Sequence, residues 1–378
     1  MHSDRRAFLG LAAAAMAMPP LARAARWQSA PVFPPADARS VWLVGDSAPP
    51  DPVAMSARLA ALAGSGSVRD GYLNGGAVEA LERAFAAYLG KEACAFFPTG
   101  TLANNVALRV LCGEAPHALC QYDSHLYRDE SNMAQRLAGI NLVPLGAGRV
   151  APTQEELVAA FDAAEKGPYA LKVGAISLES PVRRLDGQLI PPKRIAEIAA
   201  LAAAHGTRMH LDAARLLLAP PSLDRKAYVA PFETVYVSLY KYLGAPFGAV
   251  LAGPAATIAK AREWRHLYGG LIYQGWAPAL LALDGLQRFP ESIATAHGAA
   301  ETLFAALEHG GKVKRVPNPD ASNIYRLEMP QALAEAAFER GRAAGVRIGR
   351  WEKGSIPFFV NETLLRRPVE EYVRVFLG

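Results

Sequence analysis

Lys241 closes a β-type apolar run, Val237-Ser238-Leu239-Tyr240, and is followed by Tyr242-Leu243-Gly244-Ala245-Pro246, a stretch built to turn. Upstream, Met209-His210-Leu211-Asp212 sets one carboxylate at the end of a second such run, ahead of Ala213-Ala214-Arg215. An unpaired carboxylate in a buried strand is expensive, so Asp212 needs a cation. Arg215, bending back along a turn, is one candidate and a protonated ring nitrogen is another. A buried amine and a buried carboxylate on strand ends are what pyridoxal 5′-phosphate (PLP) requires: an amine that condenses with its aldehyde, and an anion that keeps its pyridinium nitrogen protonated. Taken singly, Lys241 also reads as an exposed lysine at a loop entrance, and Asp212 with Arg215 as an internal ion pair.

Two further groups suit the same chemistry. Thr99-Gly100-Thr101 lies between a strand-like Ala93-Cys94-Ala95-Phe96-Phe97 and a helical stretch over 102–111. Unpaired N–H groups at a helix start, with hydroxyls beside them, bind phosphate, and Gly100 lets the backbone approach closely. A plain threonine N-cap has the same appearance. His125, in Tyr122-Asp123-Ser124-His125-Leu126-Tyr127-Arg128-Asp129-Glu130, can stack on a pyridine ring and move a proton near neutrality. Glu130 can bond that histidine or a substrate hydroxyl, or be a solvated charge beside Arg128 and Asp129.

The elements that must position these groups alternate. Strand candidates at 118–121, 141–144, 174–178, 208–211, 234–238 and 249–252 are separated by helical stretches such as 76–89, 154–164 and 192–204. That alternation predicts an α/β domain with a mainly parallel central sheet. Near Asp284–Phe289 the pattern changes. A helix over 291–309 leads to short strands at 312–316, 324–327, 346–348 and 358–360 and helices at 331–344 and 369–376, a small C-terminal α+β domain. The expected organisation is a leader over 1–25, an extended Pro-rich arm over 26–55 (Pro31, Pro34, Pro35, Pro49, Pro50, Pro52), a large domain over 56–285 and a small one over 286–378. A cleft between the two domains is the default ligand site.

The 378 residues, 51% of them hydrophobic, suffice for two domains sharing a core. The 40 basic and 35 acidic residues are widely spread, without the basic and aromatic stripe that nucleic-acid binding wants. Cys94, Cys112 and Cys120 form no CxxC and no metal spacing, so they read as buried spectator thiols. At the amino terminus, Ser3-Asp4-Arg5-Arg6-Ala7-Phe8-Leu9-Gly10 precedes a short apolar region and then small residues near Ala24 and Ala25. This layout resembles a twin-arginine export signal and implies a periplasmic protein without a stable membrane anchor.

In order and spacing, these segments resemble the threonine aldolase and β-eliminating lyase family of fold-type-I PLP enzymes. Phe97-Pro98-Thr99-Gly100-Thr101-Leu102-Ala103-Asn104 matches its phosphate-binding segment, and His125 with Glu130 its ring-stacking histidine and glutamate. His210-Leu211-Asp212-Ala213-Ala214-Arg215 matches His-x-Asp-Gly-Ala-Arg, and 238–248 the segment bearing the cofactor-linked lysine. The resemblance implies a fold-type-I large domain, a PLP-dependent carbon–carbon lyase cleaving a threonine-like β-hydroxy amino acid to glycine and an aldehyde, and a homodimer or homotetramer. Tyr72 in Gly71-Tyr72-Leu73-Asn74-Gly75 would reach toward a partner and the substrate, and Arg215 would hold the substrate carboxylate. The departures lie at the substrate end. Gly45 stands where the family has serine, Phe358 where it has a carboxylate-clamping arginine, and Gly269-Gly270-Leu271-Ile272-Tyr273-Gln274 lacks the family's arginine. The usual Glu-Asn-Thr-His is here Glu179-Ser180-Pro181-Val182. Arg326, Arg347 and Arg350 are candidate replacements. The alternatives are a β-eliminating lyase acting on another amino acid and a catalytically lapsed PLP-binding protein.

Overall fold

A computed structural model describes residues 39–64 and 68–378. The expected leader, and the first part of the arm, lie outside the described residues. Within the arm, the short strand β1 (Val41–Trp42) is extended as expected, but a helix, Pro52–Ala63, begins where the arm was to continue. Asp51 caps it by accepting from the Val53 amide at 2.9 Å, and Pro52 sits in the first turn. Proline lacks only an N–H that has no partner there, so it favours a helix start as readily as an extended arm.

Seven strands form the central sheet: β2 (Ala93–Phe97), β3 (His117–Gln121), β4 (Asn141–Leu145), β5 (Val173–Glu179), β6 (Arg208–Asp212), β7 (Thr234–Ser238) and β8 (Ala249–Gly253), in the order β2-β8-β7-β6-β5-β3-β4. All neighbours pair in parallel except β8, which runs against both β2 and β7. Every residue of β5 and of β7 is buried. Helices cover both faces, which is why these strands read as continuous apolar runs and not as alternating ones. In such sheets ligands bind beyond the carboxyl ends of the strands, and Gln121, Glu179, Asp212 and Ser238 end β3, β5, β6 and β7.

Beyond the sheet, β9 (Lys314–Arg315), β10 (Ile324–Glu328) and β12 (Ser355–Phe359) make an antiparallel sheet in the order β12-β10-β9, while β11 (Val346–Arg347) pairs in parallel with β1. The helices Gln331–Ala344 and Val369–Leu377 complete the expected α+β layout. The helix expected from Glu291 begins much earlier, running Trp276–His309 with Pro290 inside it. Pro290 immediately precedes the expected start, yet the helix runs through it. The 285/286 boundary therefore falls within one continuous helix. At Gly285 a Cβ would lie 2.2 Å from the Leu243 carbonyl oxygen. Glycine there lets this helix close on the backbone just after Lys241.

Cys94, Cys112 and Cys120 are buried and form no disulfide. No helix among the described residues is long and apolar enough to cross a membrane.

Candidate active site

Thr99, Gly100, Thr101, His125, Glu130, Asp212, Arg215 and Lys241, the groups singled out in sequence, line one cavity of about 340 Å³. Tyr72 does not. It is exposed, with φ of 50°, its amide donates to the Tyr273 carbonyl at 2.7 Å, and its ring meets that of Tyr273 edge-on.

The acidic side of the cavity is a connected network. Asp212 accepts from the Ala214 amide at 3.1 Å through Oδ1 and from Asn104 Nδ2 at 2.9 Å through Oδ2. The same Asn104 nitrogen donates to Glu130 Oε1 at 2.8 Å, and His125 Nδ1 meets that oxygen at 2.9 Å. Glu130 is thus buried and bonded, not solvated. Burial raises its pKa, while its hydrogen bonds from His125 and Asn104 work against that rise. The bond to Glu130 raises the pKa of His125 against the opposing effect of burial. With Nδ1 committed to Glu130, Nε2 of His125 is the nitrogen left for chemistry.

Glu179 is the one residue kept in a segment, Glu179-Ser180-Pro181-Val182, that otherwise departs from the family pattern. It ends β5 opposite Asp212 in register and lines the cavity. Its carboxylate accepts from the His125 amide at 2.5 Å and the Arg183 amide at 2.8 Å, so it holds the start of the short turn that presents His125. Burial, then the neighbouring Asp212 charge, pushes its pKa up to about 7.

On the opposite side, burial and then Arg215 bring the Lys241 amine down to about 8. More of it is neutral, and so nucleophilic, at physiological pH than an ordinary lysine would be. Arg215 pairs with Asp46, not with Asp212: its Nε donates to both Asp46 oxygens, at 2.8 and 3.0 Å. Neither Asp46 nor Asn104 carried a sequence signal of its own, because their partners are distant in the chain.

Thr99 does cap the Gly100–Cys112 helix, accepting from the Leu102 amide at 3.2 Å. The cap does not exclude an anion site, since Thr101 and the free first-turn amides remain. Gly100 has a second reason to be glycine: a Cβ there would lie 2.0 Å from the buried Tyr236 hydroxyl.

The candidate substitutes for the missing arginine are engaged elsewhere. Arg326 donates to Ser355 Oγ at 2.9 Å, Arg347 lies over the Trp42 ring and Arg350 over Phe338; none lines the cavity. Phe358 is buried against Phe304 and Phe376, an apolar environment that no charged clamp would share. Gly45 has φ of +95°, where a serine would be strained.

These groups fit PLP. One amine, one carboxylate with two of its roughly four acceptor positions used, an imidazole with one nitrogen free, and a helix start carrying hydroxyls share a single cavity. Glu130 Oε2 is buried without a hydrogen-bond partner, as a site built around a further polar group allows.

Comparisons with known proteins agree with this chemistry. A model of the beta-eliminating lyase family matches residues 43–328. The low specificity L-threonine aldolase of Saccharomyces cerevisiae is 29% identical over 278 residues, which cover 71% of this chain and 70% of that one. A protein assigned as an L-allo-threonine aldolase from Listeria monocytogenes superposes with a TM-score of 0.74 at 25% identity, over 89% of this chain and 96% of the other. The threonine aldolase of Leishmania major shares the fold with a TM-score of 0.67 at 17% identity, over 89% and 97%.

Proposed function

Because the chain belongs to the beta-eliminating lyase family, we propose that it is a PLP-dependent carbon–carbon lyase of threonine aldolase type, cleaving a β-hydroxy amino acid to glycine and an aldehyde. The observation that carries this reading is the convergence of Lys241, Asp212, His125 and the Thr99-Gly100-Thr101 helix start on one cavity. When bound, PLP supplies the electron sink that takes up the pair released as the Cα–Cβ bond breaks.

The protein's own residues do the rest. Lys241 supplies the amine that holds the cofactor, and the hydroxyls and amides at 99–101 hold its phosphate. Asp212, fixed by Asn104 and the Ala214 amide, keeps the ring nitrogen protonated. His125 would lie against the bound cofactor, with Glu130 fixing its orientation and leaving Nε2 to take the β-hydroxyl proton. Arg215, braced by Asp46, binds the substrate carboxylate.

Acetaldehyde release from L-threonine and L-allo-threonine tests the reaction. Activity that disappears in Lys241→Ala together with the visible absorption of bound cofactor supports it; cofactor binding with no aldehyde from any β-hydroxy amino acid refutes it. A second reading, β-elimination on a different amino acid, is favoured by Gly45 and Phe358, which leave Arg215 as the one guanidinium at the cavity among the described residues.

On the same proposal the enzyme is at least a homodimer. The exposed Tyr72 and Tyr273, and the half-exposed Tyr240 and Phe247 at the cavity, support an interface beside the site, and sedimentation tests it. Export through the twin-arginine pathway to the periplasm, after the cofactor is bound, is supported by Arg5-Arg6-Ala7-Phe8-Leu9 and the apolar stretch after it. A reporter fused behind residues 1–30 and active only outside the cytoplasm tests that.

A further inference from the structure

We propose that Asn104 is a positioning residue that ties the carboxylate under the ring nitrogen to the carboxylate behind the stacking histidine, and that His210 locks it in that role. The inference rests on the PLP reading of the site. Asn104 lies one turn into the helix whose first residues line the cavity, and it is buried. Its two amide hydrogens go to two different carboxylates, Asp212 Oδ2 and Glu130 Oε1. Its carbonyl oxygen lies 3.0 Å from His210 Nε2.

Chemistry assigns every atom of this chain of bonds. Reversing the Asn104 amide would set its oxygen against two carboxylate oxygens, so one orientation survives. That orientation requires His210 to carry its proton on Nε2. His210 Nδ1, 2.9 Å from Thr234 Oγ1, is then the acceptor of the hydroxyl. Burial lowers the His210 pKa to about 4, so the ring stays neutral, as this arrangement of one donor and one acceptor nitrogen requires.

The consequence is geometric. Ligand atoms of His125, Glu130 and Asp212 come within 4.8 Å of one another. Two carboxylates so close repel each other unless a shared donor lies between them, and Asn104 is that donor. A helix residue in the cavity wall thereby sets, through Asp212, the ring-nitrogen contact and, through Glu130, the tilt of His125.

The experiment compares wild-type protein with Asn104→Ala and with Asn104→Asp, which keeps the volume but replaces the donor with a third carboxyl group. The dissociation constant for PLP is measured by equilibrium dialysis without substrate. Both variants are expected to bind PLP on the order of ten- to a hundredfold more weakly. With L-threonine, kcat falls while KM changes little, because the substrate carboxylate contact is elsewhere. Wild-type affinity and an unchanged visible band in both variants would overturn the proposal. If neither variant folds, ¹⁵N-histidine-labelled wild-type protein decides: His210 must be neutral and protonated on Nε2 from about pH 6 to about pH 8. A charged ring, or a proton on Nδ1, overturns it. Failure of the wild-type protein itself to bind PLP would instead sink the reading beneath.

Discussion

Arg215 directs its Nε–H at both oxygens of Asp46, with both side chains largely buried. Among the described residues no hydrogen bond engages its terminal nitrogens, so the pair aims a free fork at the cavity. A buried charged hydrogen bond contributes about 1.5–3 kcal/mol. Asp46→Asn should therefore raise KM for the amino acid on the order of tenfold and lower kcat less, since only the aim of the carboxylate clamp is lost. Steady-state kinetics check this, and an unchanged KM would remove Arg215 from carboxylate binding.

Gly285 approaches the Leu243 carbonyl so closely that no side chain fits between the Trp276–His309 helix and the segment after Lys241. Gly285→Ala should cost about 1–3 kcal/mol by overpacking against rigid backbone. It should also shift Lys241 and weaken PLP binding. Thermal unfolding of the cofactor-free protein and a cofactor titration give the two readouts. A variant as stable as wild type would mean that the helix can slide.

Lys241, Asp212, His125 and the 99–101 turn were legible in sequence because each sits just beyond an apolar run, and parallel strands bring such positions to one edge of the sheet. Asp46, Asn104 and Glu179 were not, since their partners are distant in the chain: Arg215 for Asp46, Asp212 and His210 for Asn104, the His125 amide for Glu179. Composition and periodicity carry no trace of such pairings. The continuous helix through Pro290 was hidden for another reason. Proline is the usual mark of a helix start, and only packing against the rest of the molecule outweighs it.

Apoenzyme should capture PLP in a pH-dependent way. Only the neutral amine attacks the aldehyde, and Lys241 titrates at about 8. The capture rate should rise with pH and level off above about pH 8, whereas an ordinary lysine would keep gaining to about pH 10. Asp46 raises the Lys241 pKa and Arg215 lowers it. Asp46→Asn should therefore move the midpoint to lower pH, and Arg215→Ala to higher pH. Stopped-flow absorbance follows the reaction; a midpoint near that of free lysine would contradict the buried amine.

Glu179 connects stability to pH with a definite sign. Its pKa in the folded protein is about 7 against an ordinary 4.5, so between those values the native state keeps a proton that the unfolded chain has released. Stability from this group is present below about pH 4.5 and declines as pH rises through about 7. Glu179→Gln cannot titrate, and like the protonated carboxyl group it offers one carbonyl acceptor to the two backbone N–H groups at this position. The substitution should change stability by less than about 1 kcal/mol at pH 5, where both side chains are neutral. At pH 8 the variant should have gained on the order of 2 kcal/mol relative to wild type, because the wild-type protein loses there what the variant never had. Urea unfolding of both proteins at the two pH values measures the difference. A cost that grows with pH would show that the Glu179 carboxylate is ionised in the fold, and that its two amide bonds outweigh burial beside Asp212.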